Sequence, residues 1–295
     1  MKLRWKIFWA LAALLLSLWV AAGYIGADRL LFAPNSANFD DPAEFEGYPV
    51  EPVSLTTDDG VPISAWHVNA GGDRAVALFH GIGPNRQQMG GIAKCYLDLG
   101  YSVLLADLRR HGKSGHAPTS LGLTERHDVA ACMKYLHGRY PVAGAHGFSL
   151  GAASLAFALR DHNEFSFLVF SSCFDTADHA LLNRLAVVGA PRWPALPFVK
   201  FAEWRLGVRM RDLNPLDCIP FAKAPALFLS GDNEVVLTAG ETVDLYNRCI
   251  SPVKRVHIFS GGRHVPIPGG KEDEFRAVLR DFLAAALDSP PLPSP

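Results

Sequence analysis

Ser149 stands between two glycines in Gly147-Phe148-Ser149-Leu150-Gly151, the spacing G-x-S-x-G. A serine hydroxyl is a poor nucleophile until a histidine can accept its proton, and the resulting imidazolium needs a carboxylate to hold its tautomer and steady its charge. Both partners are sought downstream. Of the eleven histidines, His127 and His137 fall in helical patterns and His257 in a strand pattern, whereas His264 lies in the Gly-rich stretch SGGRHVPIPGG straight after the last strand-like run. A base there can reach across the ends of parallel strands. Carboxylates occur in Gly231-Asp232-Asn233-Glu234-Val235-Val236 and at Asp175. Glu234, three residues past the turn glycine and followed by apolar residues that can pin the loop, is the leading acid; Asp232 is the alternative and Asp175 a third choice. Charge developing on a substrate oxygen also needs donors. The N–H of Leu150, next after the serine, is one candidate, and that of Ile82 in His80-Gly81-Ile82-Gly83 is the other. His80 reads as a residue that fixes this loop by hydrogen bonding rather than as a base.

A strand must deliver such a serine to a sharp turn and a helix must leave it at once. VAGAH before it and LGAASLAFAL after it supply both. A structural serine in a Gly-rich turn would show the same five residues, so the downstream companions carry the distinction. The chain alternates short apolar runs (AVALF, YSVLLA, VAGAH, FSFLVF, PALFLS, KRVHIF) with helical segments near residues 85–99, 124–139, 150–161, 238–250 and 271–287. Runs buried on both faces and separated by helices predict an α/β fold with a mostly parallel central sheet. PVSLTT and VPISAWHVN, flanking Asp58, Asp59 and Gly60, predict an antiparallel hairpin ahead of it. Thr124 and Thr238 are expected as N-caps, the latter with Glu241 in a capping box. Residues 177–224, rich in Pro and Trp, interrupt the alternation and are expected to form a lid; residues 289–295 read as a disordered tail.

The 295 residues carry a formal net charge of -1 and no basic cluster, which argues against nucleic acid as a partner. Residues 7–25 are uncharged and would span roughly 28 Å as a helix. Lys2, Arg4 and Lys6 precede them, so the positive-inside rule predicts a membrane anchor over residues 1–29 with a cytoplasmic N-terminus, a linker over 30–49, and a catalytic domain over 50–288 on the outer side. A cleaved signal peptide at Ala21-Ala22-Gly23, giving a secreted domain, is the alternative. The five cysteines form no C-x-x-C, and most are expected to be small core residues. Gly112-Lys113-Ser114 lacks the leading glycine of a P-loop, GIGPNR lacks the third glycine of a dinucleotide fingerprint, and no H-E-x-x-H occurs. Neither a metal nor a cofactor is expected.

The HG loop, GFSLG, SGDNEVV and GGRH, in this order over roughly residues 50–288, resemble the α/β-hydrolase superfamily. With DRLLFAP and VSLTTDDGVPISAWHV behind an apolar helix, the chain is similar to the single-pass membrane-anchored serine hydrolases of that superfamily. Asp107-Leu108-Arg109-Arg110-His111-Gly112-Lys113-Ser114 resembles the family's D-x-R-G-x-G-x-S loop, with Arg110 in place of the first glycine; Glu234 stands where Asp is usual. The resemblance implies an esterase, lipase or thioesterase acting through an acyl-enzyme on a lipid-like or acylated substrate. An acyltransferase, perhydrolase or peptidase using the same groups, and a catalytically idle binding member, are the competing expectations. Trp193, Phe198, Phe201 and Trp204, interleaved with Arg192, Lys200 and Arg205, would suit either a membrane interface or packing on the core.

Overall fold

The computed structural model describes residues 2–32 and 37–288. Residues 289–295, the expected tail, and part of the linker lie outside them. The described chain forms α1 (Lys2–Leu31), β1 (Glu44–Phe45), β2 (Tyr48–Thr56), β3 (Pro62–Val68), β4 (Arg74–Phe79), α2 (Gly90–Asp98), β5 (Ser102–Ala106), α3 (Arg126–His137), β6 (Val142–Phe148), α4 (Leu150–Ala158), β7 (Leu168–Ser171), α5 (Ala177–Val187), α6 (Leu196–Leu206), β8 (Ala226–Gly231), α7 (Ala239–Arg248), β9 (Lys254–Phe259) and α8 (Glu272–Asp288).

The strands make one sheet in the order β1-β2-β3-β5-β4-β6-β7-β8-β9. The hairpin β2–β3 joins antiparallel to β5, and every pairing from β5 to β9 is parallel. Alternate side chains of each strand feed two cores. In β4, Ala75, Ala77 and Phe79 pack with Val129, Cys132 and Leu155 of α3 and α4, while Val76 and Leu78 pack with Ile92 and Tyr96 of α2 and Phe275, Leu279 and Phe282 of α8. The sheet is therefore covered on both faces, as its uninterrupted apolar strands require. All five cysteines are unpaired and buried.

Two local expectations need correction. Thr124 does not cap α3: Glu125 occupies the cap position, and its buried carboxylate accepts from Thr119, Ser120 and Gly122 to turn the preceding loop. The run FSFLVF becomes a strand only from Leu168, because Ser166 first bonds the β6 edge through Ala143. At α7, by contrast, the Thr238 N–H donates to Glu241 Oε2 at 2.6 Å.

Residues 177–224 form α5, α6 and four short 3-10 turns. α6 packs along α1, which is long and apolar enough to cross a membrane and has only Gly23, Ala27 and Leu31 buried.

Candidate active site

The strand order reverses direction between β4 and β6, and in open parallel sheets the crevice beyond such a switch is where ligands bind. Both oxyanion candidates and the serine leave the sheet there. Ser149 follows β6 with φ 52° and ψ −111°, a conformation that an L residue holds only when its surroundings enforce it. Two close approaches enforce it. A Cβ on Gly147 would stand 2.3 Å from the Gly151 carbonyl oxygen, and one on Gly151 would stand 2.2 Å from that of Phe79, so only glycine lets α4 turn back across β6 and β4. The Ser149 N–H is held by the Ser171 carbonyl at 2.9 Å.

The loops after β8 and β9 bring the other groups over. Gly231 and Gly262 meet backbone to backbone, and the Asn233 N–H donates to the Gly262 carbonyl at 2.9 Å. His264 then lies between the serine and the acid: Nε2 is 3.1 Å from Ser149 Oγ and Nδ1 is 3.0 Å from Glu234 Oε2. The Phe148 ring lies against the imidazole, with centroids 4.9 Å apart. Glu234 is buried to 1% side-chain exposure, while His264 keeps 31%. Of the three candidate carboxylates, Glu234 alone meets His264. Asp232 Oδ1 accepts from the Gly261 N–H at 2.6 Å and so braces the histidine loop from outside. Asp175 takes the Thr176 N–H and the ring of His179 at the start of α5.

One contributor has only a faint mark in the sequence. Ser172, in the left-handed region at φ 48°, donates its hydroxyl to Glu234 Oε1 at 2.5 Å, and the Gly231 N–H reaches the same oxygen at 3.2 Å. A pair of serines closing an apolar strand was the available signal. Ile82 and Leu150 line the cavity beside Ser149, and among the described residues no acceptor takes either N–H. Gly81 is already engaged, its N–H donating to Gln88 Oε1 at 2.7 Å.

Behind the loop that carries Ile82, His80 bonds the Gly81 carbonyl through Nδ1 and accepts the Leu108 N–H through Nε2. Burial, and the neighbouring His111, hold its pKa down at about 4, so it is a neutral strut. Asp107 clamps the same loop: it takes the Arg86 N–H and guanidinium, each at 2.7 Å, and the Lys113 N–H at 2.8 Å. Arg86 and Asp107 are both fully buried, and Arg86 also donates to Ser64 of β3. Arg110, the residue in place of glycine, takes φ 70° and donates to the Phe32 carbonyl.

A cavity of about 130 Å³ opens at Ser149. Its walls are apolar (Leu121, Phe174 and Leu181 among them), and among the described residues Arg184 is the one charged group lining it. Phe198 of α6 and Leu30 of α1 close one side. Such a site can hold an acyl group against a hydroxyl, with a base at hand and two N–H groups free for an oxygen.

The family model described as serine hydrolase (FSH1) matches residues 113–274. An uncharacterized protein of Bacillus subtilis is 29% identical over 238 residues, covering 78% of each chain. An uncharacterized membrane protein of Saccharomyces cerevisiae is 25% identical over 297 residues, covering 94% of this chain and 96% of its own. Among solved structures, an esterase of Pyrococcus furiosus superposes with a TM-score of 0.74 at 26% identity, covering 87% of this chain and 98% of its own.

Proposed function

The chain belongs to the serine hydrolase (FSH1) family, a hydrolase of the α/β-hydrolase type, and from that premise we propose that it cleaves carboxylic esters or thioesters through an acyl-enzyme on Ser149. In this reading Ser149 Oγ attacks the carbonyl as His264 Nε2 takes its proton. The N–H groups of Ile82 and Leu150 hold the oxyanion, and His264 returns the proton to the departing alkoxide or thiolate. Water, deprotonated by the same nitrogen, then releases the acid. Glu234 keeps Nδ1 protonated and balances the imidazolium. The observation that carries this reading is the unbroken hydrogen-bonded line from Ser149 through His264 to Glu234.

The apolar cavity supports an acyl group as the part of the substrate that binds beside the serine. α1 supports a membrane-anchored enzyme, as does the yeast relative named a membrane protein. Lys2, Arg4 and Lys6, ahead of the apolar run of α1, favour a cytoplasmic N-terminus and an outward catalytic domain. Labelling by a fluorophosphonate tests the chemistry: wild type is expected to label and Ser149→Ala to lose all labelling. A variant that still labels would remove Ser149 from the reaction.

A further inference from the structure

α6 packs α1 along one flank and leaves large apolar side chains bare on another. Trp19 Nε1 donates to the Pro194 carbonyl at 2.9 Å, the rings of Tyr24 and Phe201 lie 5.3 Å apart, and Arg205 reaches Tyr24 OH at 2.7 Å and Asp28 at 3.1 Å. These contacts advance together along both segments, so the two helices run parallel. They are close: a Cβ on Gly23 would stand 2.4 Å from Pro197 Cβ.

This packing sets a depth. Measured from Lys6, Trp19 lies ~20 Å and Ala27 ~30 Å along the helix axis, and a hydrocarbon core is about 30 Å thick. The turn before α6 therefore stands beside the end of the apolar run, and α6 itself stands beside residues 23–28, at the outer edge of the hydrocarbon core. Along this stretch Trp193 and Trp204 are 61% and 70% exposed, and Leu196 is exposed as well. Arg192 and Lys200 stand among them with half or more of their side chains in the open. Tryptophans mixed with cations whose stems can lie along apolar surface are the composition of a membrane interface.

We propose that α6 and the turn before it lie in the outer leaflet beside α1, seating the catalytic domain on the bilayer, and that acyl esters of membrane amphiphiles reach Ser149 from that leaflet. Phe198 joins the two surfaces. Its ring packs 3.3 Å from the Cβ position of Gly26, and it walls the Ser149 cavity together with Leu30. The cavity thus shares a wall with the membrane-facing ridge. The substrate half of the proposal rests on the esterase reading above; the seating half does not.

Full-length protein in nanodiscs of phosphatidylcholine and phosphatidylglycerol separates the two. Since every native cysteine is buried, Trp204→Cys and Asp73→Cys, the latter at the far end of the parallel strands, can each carry an environment-sensitive dye. The dye at 204 is expected to emit blue-shifted light and to be quenched by lipids bearing a nitroxide near the headgroup, and the dye at 73 to behave as in water. Equal emission at the two sites would overturn the seating. The double variant Trp193→Glu, Trp204→Glu is expected to turn over soluble p-nitrophenyl butyrate as wild type does and to lose at least tenfold on a long-chain p-nitrophenyl ester embedded in vesicles. Equal change on both esters, or none on either, would overturn entry from the leaflet. Wild type inert on both esters would instead defeat the esterase reading, with the dye result still standing.

Discussion

Ser172 commits its hydroxyl to the oxygen of Glu234 that His264 does not use, so the carboxylate is gripped at both ends. The two interactions differ in what they do for a developing imidazolium. Glu234→Gln keeps shape but loses the countercharge and can present an amide to Nδ1; a kcat fall of about 10³–10⁴-fold is expected, in line with loss of the orienting acid in serine hydrolases. Ser172→Ala removes one hydrogen bond to a charged group, about 1.5–3 kcal/mol, and should cost roughly 10- to 100-fold. Steady-state kinetics on a soluble ester, with circular dichroism to verify folding, orders the two. A Ser172→Ala defect as large as that of Glu234→Gln would contradict a positioning role for the serine.

At the scale of elements, the loops after β4 and β5 are tied together by buried charge. Asp107 joins the loop after β5 to the turn leading into α2, and Arg86 extends the junction to β3. Removing one partner of a buried pair strands the other, so Asp107→Asn is expected to lower stability by about 3–5 kcal/mol in chemical denaturation. A loss below about 1 kcal/mol would mean that the loop is held by other contacts. What the sequence discloses at this scale follows from how local the causes are. The short apolar strands and the glycines around Ser149 are local patterns, and they mark the sheet and the turn directly. Glu234 is separable from Asp232 in the sequence by its spacing from Gly231 and by the apolar residues that follow it, and the close approach of Gly231 to Gly262 is what turns the two carboxylates to different tasks. α3 starts at Arg126, one residue past the start that a Thr124 cap would give, because the Glu125 side chain organises the preceding loop. α5 and α6 offered least. Much of the surface that α6 buries belongs to α1, far earlier in the chain, and no window of sequence contains both.

The whole molecule should be sensitive to acid, through histidines that the proposed chemistry does not use. His146, beneath the serine turn, is fully buried with Nε2 2.7 Å from Ser171 Oγ, and burial holds its pKa down at about 3. In the unfolded chain a histidine titrates near 6.5, so between about 6.5 and 3 the unfolded state takes up a proton that the folded state refuses. The contribution is therefore full above pH 6.5 and lost as pH falls, by up to about 1.4 kcal/mol per pH unit. Melting temperatures recorded from pH 7.5 to 4.5 should decline more steeply in wild type than in His146→Gln, even though the variant starts lower. Parallel curves would show that His146 is not the sensor. Leu30 is at once near the end of the membrane-length segment and a wall of the cavity at Ser149. In a membrane-anchored enzyme, a protease cutting just after Leu30 would release the domain without that part of its pocket wall, so solubilisation by cleavage would alter which esters the enzyme prefers as well as where it works.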